Sequence, residues 1–282
     1  MRRLYLALSG GGAHAAAHAG ALKALDREGI PVSGIAGVSG GALVAAAWAG
    51  GADLDSLVDQ ASRLHPWMWV RGWGGGLLSG SRLGALIDEF LPVPTFEGLR
   101  VPISVLATDV DTGGPVVFRE GPVRDAVRAS CSFPGVFPPM VLQGRRLYDG
   151  GISEVIPVRL ARALAGEGGV VLAMDCNSGT CWPAADSFVA LALRAGLTLL
   201  RGRSRGELAG ADLVVAPPMG ESGWMRPAKI PSFYAAGDRA LTEALPEVRR
   251  LLSGEAPLAP PRSEGSRPNV YPIPQRDRTG SC

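Results

Sequence analysis

The sequence predicts an α/β fold with a mainly parallel central sheet covered by helices on both faces, and three observations carry that expectation. Short apolar runs at 4–8, 34–38, 101–107, 115–118, 169–174 and 212–216 are bounded by Gly, Pro or Asp. They are continuous rather than alternating, which is the pattern of strands buried on both sides. Helical stretches at 15–28, 41–50, 53–63, 81–90, 122–131, 157–166, 185–203 and 233–252 lie between many of them; that alternation builds a parallel sheet with two helical layers. The chain has 282 residues, 46% of them hydrophobic, with a mean hydropathy of +0.17, enough for one large core or at most two smaller ones.

Taken in chain order, the first strand follows Met1-Arg2-Arg3 and runs into Ser9-Gly10-Gly11-Gly12. The start resembles a signal peptide, but the polar glycine block interrupts the apolar stretch after five residues, so it reads as the first strand of the fold, with a cytoplasmic location. The segment 141–149 is a hairpin turning at Gly144 and ending in a strand whose exit carries Asp149. The nearest approach to a membrane span is 188–200, interrupted by Arg194. A buried helix and an amphipathic helix lying on a membrane surface are its two readings. From 255 the composition shifts to Pro, Arg, Ser and Gly, which cannot build a core. The expected organisation is one domain over 1–254 and a tail, 255–282, that is mobile or draped over the surface.

Charge and cysteine usage narrow the function. A net charge of +2, without a basic stripe interleaved with aromatics, excludes a strong electrostatic case for nucleic acid. The four cysteines, Cys131, Cys176, Cys181 and Cys282, are too few and scattered for a disulfide scaffold. Cys176 and Cys181 are close enough in sequence to pair or to share a metal, but with no histidine nearby free thiols are the expectation.

The chemistry begins at residues 4–20. A strand entering Gly10-Gly11-Gly12 and then a helix leaves backbone N–H groups aimed at one point, at the positive end of a helix dipole. Such a loop binds an anion, either a phosphate or the oxyanion of an ester under attack. Gly10-x-Gly12-x-x-Ala15 also satisfies a loose dinucleotide fingerprint, which requires an acidic residue about twenty positions on, at the end of the second strand. Here that strand ends in Gly37-Val38-Ser39-Gly40-Gly41, a G-x-S-x-G element between a strand and a helix. Glycine is so abundant, at 39 residues, that about 0.4 chance matches are expected. Gly202-Arg203-Ser204-Arg205-Gly206 is one, within a helical pattern. Context selects Ser39, whose hydroxyl projects from a strained turn with a helix dipole behind it.

A serine needs a base. The histidines are His14, His18 and His65, none late in the chain where a Ser-Asp/Glu-His order puts one. Either His65 is recruited or the base is a carboxylate at a strand exit: Asp109, Asp111, Asp149 or Asp175. Asp149 stands out because Gly150-Gly151 expose it and let another backbone pass close by; an Asp-Gly turn is its structural reading.

Together, Gly10-Gly11-Gly12, Gly37-Val38-Ser39-Gly40-Gly41, "RDAVRASCSFPGVFPPM" and Asp149-Gly150-Gly151 resemble the patatin-like phospholipase family, over roughly residues 4–216 and in the family's order. The resemblance implies a three-layer α/β/α sandwich and a Ser-Asp dyad without histidine: Ser39 as nucleophile, Asp149 as general base, and Gly10, Gly11 and Gly12 as the oxyanion-hole backbone. It implies that the block from Ala129 to Pro139 supports the nucleophile, with Cys131 there in a packing role. One departure stands out. The family usually carries Lys or Arg and then Gly one spacer after the glycines, and this chain has His14-Ala15, read here as a satisfied helix-start histidine.

Residues 65–80, "HPWMWVRGWGGGLLSG", set Trp67, Met68, Trp69 and Trp73 beside a glycine run, either as an acyl-pocket wall or lid or as core filling. The expected activity is cleavage of carboxylic esters of lipids through an acyl-serine intermediate, with no metal or cofactor, a lipid or ester substrate as partner and transient contact with a membrane surface. A regulatory patatin-like module and a nucleotide-binding α/β protein are the alternatives.

Overall fold

The computed structural model describes residues 2–64, 78–178, 180–181, 188–221 and 226–255. The Trp-rich segment through residue 77, His65 and the chain beyond 255 lie outside the described residues.

Ten strands and eight α-helices are described: β1 Leu4–Leu8, α1 Ala16–Arg27, β2 Val32–Val38, α2 Gly40–Gly50, α3 Leu54–Ser62, α4 Gly80–Phe90, β3 Ile103–Asp109, β4 Pro115–Phe118, α5 Val123–Ser130, β5 Met140–Leu142, β6 Arg145–Asp149, α6 Val158–Ala165, β7 Val170–Met174, β8 Thr180–Cys181, α7 Phe188–Glu207, β9 Leu213–Val215, β10 Gly220–Glu221 and α8 Ile230–Ser253. Each apolar run became a strand and each helical stretch a helix, with ends shifted by a few residues. The β8–β10 pair is only two residues long on each side, too short to leave a period in the sequence.

The central sheet is mixed, in the order β5-β6-β3-β2-β1-β7-β9 with β4 paired to β3. Strands β3, β2, β1, β7 and β9 run parallel. The hairpin β5–β6 extends the sheet antiparallel beyond β3, and β4 also joins β3 antiparallel. Gln143 and Gly144 both take positive φ, +50° and +77°, as a tight hairpin turn of this hand requires.

Strand parity divides the core in two, because successive side chains point to opposite faces of a sheet. Leu4, Leu6 and Leu8 of β1, with Ile35, Val105 and Leu172, pack under α1, α2, α5 and α8. Tyr5 and Ala7, with Ala36, Val38, Leu106 and Val171, pack under α6 and the end of α7. The result is the α/β/α sandwich. Small residues set its tightest contact, between α1 and α8. A Cβ on Gly20 would lie 2.0 Å from Tyr234 O, and one on Gly237 would lie 1.9 Å from Ala17 O.

With β1 and β2 adjacent and parallel, their C-terminal ends emerge side by side. The Gly10–Gly12 loop and the Ser39 turn therefore share one sheet edge, and β6, antiparallel to β3, brings Asp149 opposite Ala107.

Candidate active site

Ser39 lies between the last residue of β2 and the first of α2, at φ 52° and ψ −127°. A non-glycine residue in such a conformation costs on the order of 1–3 kcal/mol and persists only where its surroundings enforce it. Two constraints enforce it here. A Cβ on Gly37 would sit 2.7 Å from Ala42 Cα and one on Gly41 2.5 Å from Ser9 O, so glycine at both positions lets strand, helix and the neighbouring loop close to backbone contact. The second constraint comes from α5. Ser39 N–H donates to Ser130 Oγ at 2.7 Å, and the Ser130 hydroxyl donates to Leu106 O at 2.6 Å. The start of α2 stands directly behind the serine, its dipole favouring negative charge there.

Asp149 is buried, with its backbone and carboxylate both held: its N–H donates to Ser132 O at 3.0 Å, its carbonyl accepts from Thr108 Oγ1 at 2.9 Å, and its Oδ1 accepts from Gly151 N–H at 2.8 Å. Burial raises its pKa to about 6, against the hydrogen bonds from Ser39 and Gly151 that favour the carboxylate. Gly150 is needed for passage: a Cβ there would meet Leu106 O at 2.1 Å.

The glycine loop is held at four points. Ser9 Oγ accepts from Cys176 N–H at 3.1 Å, His18 Nε2 donates to Ser9 O at 2.9 Å, Gly10 N–H donates to Val155 O at 3.0 Å, and Asn177 Nδ2 donates to Gly10 O at 2.7 Å. The Gly10 contact corrects one expectation: its amide is spent inside the fold, because the chain turns there towards Val155. The Gly11 and Gly12 amides have no acceptor among the described hydrogen bonds.

His14 is buried edge-on to Phe233, with ring centroids 4.8 Å apart. Burial lowers its pKa to about 4; a hydrogen bond with Asn177 opposes this and the charge of Lys229 adds to it. The position where the family carries a cation is thus neutral at physiological pH. His18 is equally buried, its pKa lowered to about 4 by burial against the Ser9 bond, and it touches Cys176 Sγ at 3.4 Å. Cys176 therefore does have a histidine neighbour, one that sequence distance concealed. Cys176 is a buried free thiol, and the side chain of Cys181 lies outside the described residues. Among the described residues no cluster of three or more metal-binding side chains occurs.

Ser39, Asp149, Gly10, Gly11 and Gly12 all line one cavity of about 250 Å³. Its wall is mostly apolar, with Leu43, Leu83, Phe133, Phe137, Leu197 and Leu200. Arg201 is the cationic side chain among the described lining residues. Cys131 lines the cavity as well, its thiol pKa pushed up by burial and by the Asp149 charge, with a hydrogen bond to Ser39 opposing. The other aspartates are elsewhere employed: Asp109 Oδ1 accepts from the Asp111 and Thr112 amides and its Oδ2 pairs with Arg145 at 2.8 Å, while Asp175 Oδ1 accepts from Asn177 N–H. The second G-x-S-x-G match lies inside α7, where Ser204 Oγ donates to Arg201 O at 2.9 Å. The sequence did not mark Ser130 individually, and it did not mark Asn177, Arg201 or Val155 as part of this region. Their partners are too far away along the chain to leave a local pattern.

Fold and pocket together define a three-layer α/β/α protein with a serine on a strand-to-helix elbow beside a glycine-rich loop. The sequence matches the patatin-like phospholipase family over residues 6–162, and the chain belongs to it. An uncharacterized NTE family protein of Mycobacterium bovis is 33% identical over 190 residues, covering 66% of this chain and 52% of the relative. A patatin-like phospholipase domain-containing protein of Caenorhabditis elegans is 31% identical over 188 residues, 61% of this chain and 13% of that protein. The chain spans about half the length of the first of these curated relatives. The crystal structure of VipD from Legionella pneumophila superposes with a TM-score of 0.57 at 14% identity, covering 86% of this chain and 67% of that one, which is a likeness of fold.

Proposed function

We propose that this chain is a serine acyl hydrolase that cleaves carboxylic esters of lipids. Family membership supports the class of activity. The observation that carries the reaction is the meeting of Ser39, buried Asp149 and the open Gly11 and Gly12 amides on one apolar cavity.

Ser39 Oγ attacks the ester carbonyl as its proton passes to the Asp149 carboxylate. The carbonyl oxygen becomes an oxyanion, stabilised by the Gly11 and Gly12 N–H groups and the dipole of α2. The C–O bond to the alcohol breaks, the alcohol leaves with the proton held by Asp149, and acyl-Ser39 remains. Asp149 then takes a proton from water, whose oxygen attacks the acyl carbonyl; the acyl bond to Ser39 Oγ breaks as Asp149 returns the proton to that oxygen, and the carboxylic acid leaves. A pKa of about 6 suits the base: it is ionised at neutral pH yet basic enough to accept a proton in the transition state. The apolar wall suits an acyl chain better than a dinucleotide, and the end of β2 offers Ser39 where a ribose-binding carboxylate is required.

Intact-mass labelling with a fluorophosphonate tests the proposal. The expected result is one adduct on the wild type, none on Ser39→Ala and slowed labelling of Asp149→Asn. Absence of an adduct on folded wild type, together with no turnover of any ester, overturns it in favour of a binding or regulatory module.

A further inference from the structure

Helix α7 presents two faces of different chemistry. Leu197, Leu200, Arg201 and Ser204, at helical spacing, line the cavity that holds Ser39. On the opposite side, Leu191, Ala195 and Leu199 recur every four residues and are all exposed, Leu191 at 53% and Leu199 at 76%. The only other large apolar side chains exposed among the described residues are Val117 and Val141. Among the described residues nothing covers the outer face of α7 at its glycines: a Cβ on Gly196, Gly202 or Gly206 would find nothing within 4 Å.

As far as Gly206 the charge on this helix has one sign. Between Phe188 and Gly206 its ionisable residues are Arg194, Arg201, Arg203 and Arg205, and the first acid is Glu207 at its end. Arg203 and Arg205 are exposed beside the leucine row, and among the described residues Arg203 makes a long contact of 3.4 Å to Glu207. Leucines flanked by arginines suit the boundary of an anionic bilayer, where the side chains enter the acyl layer and the guanidinium groups meet phosphates. No described helix is long and apolar enough to cross a membrane, so such contact would lie along the surface.

We infer that the outer face of α7, centred on Leu191 and Leu199 and flanked by Arg203 and Arg205, docks on an anionic lipid bilayer. Docking lays α7 between the lipid layer and the cavity that its inner face lines, which brings the cavity within about one helix diameter, roughly 10 Å, of the bilayer surface. The inference builds on the lipid-hydrolase reading, but its test needs no turnover.

Cosedimentation with vesicles of phosphatidylcholine, with and without phosphatidylglycerol, is measured on the wild type and in a Ser39→Ala background. The expected result is binding that increases with phosphatidylglycerol and falls at least about tenfold in Leu191→Asp/Leu199→Asp, or about 1.4 kcal/mol. In Arg203→Glu/Arg205→Glu the preference for anionic vesicles should disappear. Hydrolysis of a dispersed short-chain ester should be unchanged in both variants, which also reports that they fold. Vesicle binding that survives the leucine changes overturns the inference, as does a wild type that binds neither vesicle. So does a dimer that the leucine variant splits without any vesicle binding, which would make a second copy the occupant. Vesicle binding without turnover would count against the hydrolase reading and leave the docking surface standing.

Discussion

Changing the pH through 6 titrates a carboxyl group inside the fold, and Asp149→Asn removes that titration. Burial raises the Asp149 pKa from 3.8 to about 6, with Ser39 and the Gly151 amide pulling the other way. A shift of about two units corresponds to about 3 kcal/mol of difference between its charged and neutral forms in the native state. The native protein takes up this proton below about pH 6, while the unfolded chain takes it up only near its ordinary value. Between those limits the native state binds more protons, so the contribution favouring the fold is present in full below the ordinary pKa. It is lost as pH rises through the raised one. Chemical denaturation should therefore show a fall of up to about 3 kcal/mol across that window, flat above it. Asp149→Asn should lose the pH dependence and exceed the wild type in stability at about pH 8. The proposed catalysis has the opposite sign, since Asp149 would serve as base only as a carboxylate. The kcat/KM for a dispersed ester should rise about tenfold per unit below pH 6 and level off above it. An inflection near the ordinary carboxylate value, or wild-type kcat/KM in Asp149→Asn, would refute the assignment of Asp149 as a buried base.

Three substitutions probe the supports of the site. Ser130→Ala removes the acceptor of Ser39 N–H and the donor to Leu106 O, leaving buried polar groups unpaired at a cost of about 1–3 kcal/mol. Thermal denaturation should show that loss, and fluorophosphonate labelling of Ser39 should slow because the elbow relaxes. Gly150→Ala forces a Cβ onto Leu106 O and should abolish labelling, whereas Gly168→Ala, with nothing within 4 Å of the added carbon, should label as the wild type does. Asn177→Ala frees the Gly10 carbonyl and should lower kcat more than it raises KM, because the Gly11 and Gly12 amides would lose their fixed aim. Equal labelling rates or unchanged kcat in these variants would remove the corresponding support from the account.

Most of the architecture was legible because its causes are local. Continuous apolar runs specify buried strands, 3.6-residue periodicity specifies helices, and a glycine-flanked serine between the two specifies an elbow, all within windows of about a dozen residues. The order of the glycine block, the Ser39 element, the Ala129–Pro139 block and Asp149-Gly150-Gly151 carried the family resemblance for the same reason.

Tertiary structure alone decided how those pieces are held and charged. Ser130 is 91 residues from Ser39, and Asn177 is 167 from Gly10, so no short window could pair them. The same folding brought Val155 to the Gly10 amide, which removes that amide from the expected anion-binding set, and His18 to Cys176, which remains a free thiol. It also decided protonation. Asp149 is raised and His14 lowered principally by desolvation, which depends on what surrounds a group in space and not on its neighbours in the chain. The sequence by itself marked the residues that the proposed chemistry uses. Only the closed sandwich determined which amides remain open and which groups stay neutral, because both follow from the burial and hydrogen bonding that packing creates.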